Sequence, residues 1–265
     1  MQRIMHNFAL LPLAAFLALM PAAAQAQSGS FTVAQHGNSV GTASFNFAST
    51  PSGYDSTSYV RVAMKGFNYA LSKTEQLNRA SQFLHVQLSA TVNGSAVSVT
   101  GATDSAQILL NISANGHSTT TRLDSHPGAV FLPDFDPGAL ETLLAVAVTN
   151  NNRGLWAIIP KQAGSIAPIQ LATHADEQGT LEGKPIVVHH LVATIADAST
   201  DLFSGPENQL LQAELPQQGF ALVRNGFVLS PPTKPGPPPV QPPDQTTPAQ
   251  APPAPTPPAQ APPAQ

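Results

Sequence analysis

The chain lacks cysteine and contains few charged residues. None of its 265 residues is cysteine, which excludes disulfides, thiolate metal sites, a cysteine nucleophile and a lipid-modified cysteine. Only 10% of the residues are charged, and the formal net charge is −4. Nucleic acids and anionic membrane surfaces attract proteins through basic patches, and no run of Lys or Arg occurs here. We therefore expect neither as a partner.

Aromatic side chains are scarce as well, with one Trp and three Tyr in the chain. Glycoside hydrolases place two carboxylates across a cleft, usually beside aromatic side chains. The chain has few Trp and Tyr side chains that could form such a cleft with the acidic pairs Asp134/Asp136 and Asp176/Glu177. We interpret Asp134 and Asp136 as turn and helix-cap residues. We predict no catalytic, cofactor-binding or metal-binding residue.

The two ends of the chain differ in composition from the middle. Residues 1–26 contain Arg3, an uncharged run too short to span a bilayer, and Ala24-Gln25-Ala26, which together predict a signal peptide cleaved after Ala26. Residues 231–265 are mainly Pro, Ala, Gln and Thr, which predicts a disordered tail. We therefore expect one folded domain over residues 27–230, without a transmembrane segment, in the periplasm of a bacterium or secreted from it.

Hydrophobic and polar residues alternate through most of this middle region, as they do in half-buried strands. Three hairpins are indicated by turn sequences between alternating segments, at residues 36–39, Asn93-Gly94 and Asn115-Gly116. Further strands are predicted over residues 155–159, 166–172, 186–195, 210–215 and 220–228.

One short helix interrupts the strands. Asp136 and Pro137 are typical of a helix start, and Leu140, Leu143, Leu144 and Val148 follow at helical spacing up to residues 150–152. We expect this helix to cover one face of the sheet. The predicted fold is mainly β, at the margin of α+β, with about ten strands in a large curved antiparallel sheet that forms a half-barrel or sandwich.

Two patterns bear on chemistry. Residues 37–41 read Gly-Asn-Ser-Val-Gly and match the nucleophile elbow of α/β hydrolases, but the elbow needs a buried parallel strand before the serine and a helix after it. We interpret this segment as a hairpin turn, and a hydrolase, tested by Ser39→Ala, stays a minor alternative. The second pattern is a group of histidines near acidic residues. We interpret these histidines as solvated or hydrogen-bonded. The alternative is a metal site formed by His174, Asp176 and either His189 or His190.

The segment from Phe31 to Phe47, FTVAQHGNSVGTASFNF, resembles the opening hairpin of uncharacterised periplasmic proteins with a β half-barrel. Val40-Gly41-Thr42 with Phe45 and Phe47, and the late turn at residues 224–227, are the matching features. The lipoprotein carriers of the LolA type share that architecture, but the present chain has only one convincing helix. The resemblance implies an apolar concave face that shelters an acyl chain or a partner's segment. The residues expected to line it are Val62, Leu88, Leu110, Trp156, Ile158 and Val188.

These observations favour an exported, non-enzymatic protein without a cofactor, which binds a lipid or other hydrophobic ligand or a cell-envelope component such as an envelope protein. One alternative is a structural or adhesion module displayed by the proline-rich tail. The other is a hydrolase with a site on the strands.

Overall fold

The structure is a computed structural model and describes residues 27–161 and 163–231. Within these ranges lie seventeen strands and one α-helix. The predicted signal peptide and residues 232–265 of the predicted tail lie outside the described residues. In the described part of the chain, no helix is long and apolar enough to cross a membrane.

The first eight strands form an up-and-down meander, in which each strand pairs antiparallel with the next. They are β1 (Gln27–Gln35), β2 (Asn38–Thr50), β3 (Gly53–Met64), β4 (Phe67–Asn78), β5 (Phe83–Val92), β6 (Ser95–Asp104), β7 (Gln107–Ala114) and β8 (His117–Asp124). The remaining elements are β9 (Gly128–Phe131), α1 (Pro137–Thr149), β10 (Leu155–Ile159), β11 (Ser165–Thr173), β12 (Glu177–Leu181), β13 (Lys184–Ile195), β14 (Ala198–Ser204), β15 (Leu210–Leu215), β16 (Phe220–Arg224) and β17 (Phe227–Leu229).

All seventeen strands belong to one strongly curved sheet. Its order runs from β8 through β7 and onward to β1, then continues through β16, β15, β14, β13, β11 and β10 to β9. β12 joins the first half of β13 to β17. No ladder joins β8 to β9 within residues 27–161 and 163–231, so the sheet stays open. The mainly β fold with a curved sheet and one helix is confirmed.

Two details of the prediction are wrong. The sheet has seventeen strands rather than about ten, and β9 and β10 pair in parallel. The sequence pattern does not identify β3, β4, β9, β12 and β14. In β3 and β4 the inward positions include polar and charged residues, which hides the alternation, while β9 is a four-residue strand buried along its whole length.

The three predicted hairpins are confirmed. Asn93 and Gly94 join β5 to β6 with φ angles of 49° and 84°, a conformation that favours this dipeptide. The same arrangement joins β7 to β8 at Asn115-Gly116. Residues 36 and 37 form the turn between β1 and β2, and Ser39 lies exposed on β2 beside Ala34. The Gly-Asn-Ser-Val-Gly segment is therefore part of an antiparallel hairpin.

The helix begins and ends where the sequence predicts. Asp136 is its N-cap, and its Oδ1 accepts hydrogen bonds from the Gly138 and Ala139 N–H groups at 2.9 and 3.2 Å. The helix lies on the concave side of the sheet and contacts β2, β3, β9 and β15. Leu143, Leu144 and Val146 on the helix join the main hydrophobic core. The prediction that the helix covers a sheet face is confirmed.

Gly138 lets the helix start approach β3 closely. A Cβ atom at this position would lie 2.2 Å from Ser58 Oγ and 3.1 Å from both Ser56 Oγ and Phe45 Cβ. Both serine hydroxyls are buried and have no hydrogen-bond partner among the described residues. Glycine is therefore required here for space.

Gly138→Ala is expected to destabilise the protein by about 1–3 kcal/mol, because the new methyl group overpacks the contact with Ser58. This is opposite to the gain that alanine gives in an unconstrained helix. Ser58→Ala alone should change stability little, since it removes a buried hydroxyl without a partner, and it should rescue Gly138→Ala in the double variant. Urea unfolding of the three variants checks this. A Gly138→Ala protein more stable than wild type would contradict it.

Candidate functional site

The concave face of the sheet is filled by the protein itself. Val62, Leu88, Leu110 and Ile158 lie in the main hydrophobic core, each at most 4% exposed. Val188 belongs to a second small cluster with Phe203, Leu211 and Phe227. Trp156 is half-buried against the main core and stacks on His126 with ring centres 3.8 Å apart. The predicted lining residues are therefore packed against other side chains and α1.

A charged cluster is buried beneath the start of α1. Lys73 and Glu75 lie on the inner face of β4, and Lys73 Nζ is 2.9 Å from Glu75 Oε2 and 2.8 Å from Asp136 Oδ2. Ser58 and Ser56 lie opposite Lys73 and Glu75 on β3. The three charged side chains are fully shielded from solvent. We call these five residues the buried polar cluster.

The electrostatics of the cluster favour a charge on Lys73 and oppose one on Glu75. Burial alone would lower the pKa of Lys73, but the carboxylates of Asp136 and Glu75 outweigh it and raise this pKa. Burial raises the pKa of Glu75, and the Lys73 ammonium opposes this only in part. Since no member reaches solvent, we assign this cluster to the attachment of α1.

A second buried carboxyl group lies one turn further along the helix. Glu141 is 2% exposed, and its Oε2 accepts a hydrogen bond from the Leu210 N–H at 2.8 Å. Burial raises the pKa of Glu141 to about 7, against the opposing effects of this hydrogen bond and of Arg224. The guanidinium of Arg224 donates to the carbonyls of Leu210 and Ser28. Glu141 thus connects the helix to β15.

The predicted histidines lie near one another, but His189 and His190 contact different carboxylates. His189 Nδ1 lies 2.9 Å from Asp176 Oδ1. His190 has Glu177 Oε1 at 3.2 Å from Nδ1 and Asp201 Oδ1 at 2.9 Å from Nε2. The rings of His174 and His190 stack. Over residues 27–161 and 163–231, no group of three or more His, Asp or Glu side chains is arranged to hold a metal ion.

A large open groove lies on the other side of the sheet. A groove of about 1050 Å³ runs across β1 to β7 on the face that points away from α1. This volume is at the upper end of ligand pockets, roughly 300–1000 Å³. Asn225 bounds the groove beside β1, and Asn115-Gly116 bounds it beyond β7. We call it the outer groove.

The strand register aligns hydroxyl groups along the outer groove. One row crosses eight strands with a serine on every strand except β3, where Tyr59 takes the place. The row consists of Ser30, Ser44, Tyr59, Ser72, Ser89, Ser98, Ser113 and Ser118. Neighbouring strands lie about 4.8 Å apart, so the row presents hydroxyl groups at that spacing. All of its members but Ser118 line the groove.

Two larger side chains stand among these small ones. Tyr59 is 60% exposed, although its neighbours along β3, Ser58 and Val60, are buried. Arg61 follows on the same strand and face, between Thr42 and Ala70. Its guanidinium makes no ion pair or hydrogen bond with any side chain that the structure describes. The groove therefore presents one aromatic ring and one cation on a background of hydroxyl groups.

The lining of the outer groove contains no Asp or Glu. Arg61 is the only charged side chain among the residues that line it. The groove therefore combines hydroxyl groups and one positive charge with small apolar side chains such as Ala43, Ala70 and Ala96. The sequence alone does not reveal this groove, because each serine by itself is an ordinary outward residue of a strand. The exposed Tyr59 in an aromatic-poor chain is the signal that could have pointed to it.

Comparison with solved structures gives a partial match. The chain is similar to the crystal structure of a β-barrel-like protein of a domain of unknown function, DUF1849, from Brucella abortus. The TM-score is 0.49, the sequences are 8% identical, and the match covers 78% of this chain and 98% of that chain. No family model and no curated protein matches the chain.

Proposed function

We propose that the protein is an exported, non-enzymatic binding protein that holds a polar component of the bacterial cell envelope in the outer groove. The observation that carries this proposal is a solvent-open groove lined by aligned hydroxyl groups, with Tyr59 and Arg61 of β3 among them. Hydroxyl groups both donate and accept hydrogen bonds, so such a surface suits a ligand rich in polar groups. The predicted signal peptide supports the location.

The alternative of a hydrophobic ligand needs an apolar space inside the curved sheet, as the resemblance to LolA-type carriers implies. Val62, Leu110 and Ile158 instead pack in a core that α1 completes. A lipid in that place would have to displace the helix together with the ion pairs of Asp136 and Lys73. These contacts support the outer groove as the binding surface.

The proposal is tested by co-sedimentation of the full chain with isolated bacterial envelopes. The variant Ser72→Ile/Ser89→Ile removes two hydroxyl groups that face each other across β4 and β5 and fills the middle of the groove. Losing hydrogen bonds of about 1 kcal/mol each should lower the bound fraction at least about fivefold.

The matched control is Thr74→Ile, two residues from Ser72 on the same strand and exposed face, but outside the groove. It should bind envelopes as the wild type does. Equal binding by the groove variant and the control would contradict the proposal, and so would a stoichiometric lipid found on the purified protein by native mass spectrometry.

A further inference from the structure

We propose that the ligand of the outer groove is an acidic glycan, with a sugar ring stacked on Tyr59 and a carboxylate bound by Arg61. This inference rests on the proposed binding function of the groove and names the chemical class of the ligand. It is carried by three features of the same surface: the exposed aromatic ring, the neighbouring cation, which forms no ion pair with the described side chains, and the row of hydroxyl groups.

Tyr59 supplies the stacking surface. It is exposed at the third position of the serine row, with Ser44 on one side and Ser72 on the other. An exposed Tyr ring offers a flat apolar face and a polar hydroxyl group, and a pyranose ring offers a flat C–H face bordered by hydroxyl groups. The serines on either side are placed to exchange hydrogen bonds with those sugar hydroxyls.

Arg61 supplies charge complementarity. Residues two apart on a strand lie on the same face, roughly 6.6 Å apart, so Arg61 is next to the ring of Tyr59. A guanidinium group binds a carboxylate through two parallel hydrogen bonds. Because no carboxylate lines the groove, an acidic sugar contacts no like charge there and can pair with Arg61.

Other occupants fit these features less well. A nucleic acid requires several cations to neutralise its phosphates, and the groove has one. A protein partner is usually anchored by large apolar or aromatic side chains in its centre, and Tyr59 is the one such exposed side chain in the groove lining. Sugars match the combination of one ring and many hydroxyl groups.

The test is isothermal titration of the full chain with hexamers of galacturonic acid and of mannuronic acid, and with their methyl esters as uncharged probes of the same shape. At least one acid should bind more tightly than its ester by about tenfold, the effect expected of one charge-assisted pair. Arg61→Met should remove that difference. Tyr59→Ala should weaken both forms of the probe by about tenfold.

The control is Arg122→Met, which removes an exposed arginine on β8 outside the groove and should leave all affinities unchanged. Equal binding of acid and ester by the wild type would overturn the role of Arg61 and the acidic class. Absence of binding by all four probes, while envelopes still sediment the wild type but not Ser72→Ile/Ser89→Ile, would overturn the glycan and leave the proposed function standing.

Discussion

Replacing Lys73 with methionine is expected to lower the free energy of unfolding by about 3–5 kcal/mol. Lys73 is the only cation in the buried polar cluster, and its ammonium group lies within 3 Å of carboxylate oxygens of both Glu75 and Asp136. Without it, two acidic groups remain shielded from solvent, and Asp136 still has to cap the helix. Domains commonly have a total stability of 5–15 kcal/mol, so the loss would be a large share.

The triple variant Lys73→Met/Glu75→Met/Asp136→Asn distinguishes a lost charge balance from lost packing. It removes all three charges and keeps an oxygen that can cap α1. Replacing a whole buried ion cluster by neutral groups is often tolerated, whereas breaking it is not. Urea unfolding should therefore place the triple variant closer to wild type than Lys73→Met. A single variant that costs less than about 1 kcal/mol would show that the cluster contributes little to holding the helix.

Stability is expected to fall as the pH rises from about 4.5 to about 7, and Glu141→Gln should remove much of this dependence. The folded protein holds the Glu141 proton up to about pH 7, whereas an unfolded chain releases it near 4.5. The stabilisation from this neutral group is thus complete below about pH 4.5 and is lost as the pH rises through about 7. A pKa difference of one unit corresponds to about 1.36 kcal/mol, so the rise of the Glu141 pKa from 4.5 to about 7 makes this loss about 3 kcal/mol.

The measurement is urea unfolding at pH 5 and pH 8 for wild type and Glu141→Gln. Glutamine keeps an oxygen that can accept the hydrogen bond from the Leu210 N–H, and it carries no charge at either pH. Glu207→Gln is the control, because Glu207 is exposed in the turn before β15, and it should keep the wild-type dependence. If Glu141→Gln loses as much stability between the two pH values as wild type does, burial of Glu141 does not set the pH dependence.

The elements that the sequence predicts correctly are those encoded by local chemistry. Asn93-Gly94 requires only its own backbone preference to form a turn, and Asp136-Pro137 starts a helix through bonds within the next three residues. Such signals are complete within a few neighbouring positions. They place the hairpins and the helix, and with them the mainly β fold.

The remaining features depend on residues far apart in the sequence. Lys73 and Glu75 share the inner face of β4 with Leu71 and Leu77, but alternation alone cannot show that a charged residue faces a core. Their partner Asp136 lies more than sixty positions away. The outer groove is similar: Ser72 and Ser89 become neighbours only through the register of β4 and β5. Cross-strand register and the position of α1 are therefore what the structure adds.

Hydroxyl-radical footprinting of the full chain, with and without isolated bacterial envelopes, tests most directly that the outer groove is the binding surface. Tyr59 is the exposed aromatic side chain in the groove, and His85 is exposed on the same sheet face outside it. Bound envelope material should protect Tyr59 from oxidation and leave the oxidation of His85 unchanged. Envelope binding that leaves Tyr59 as reactive as in the free protein would contradict it.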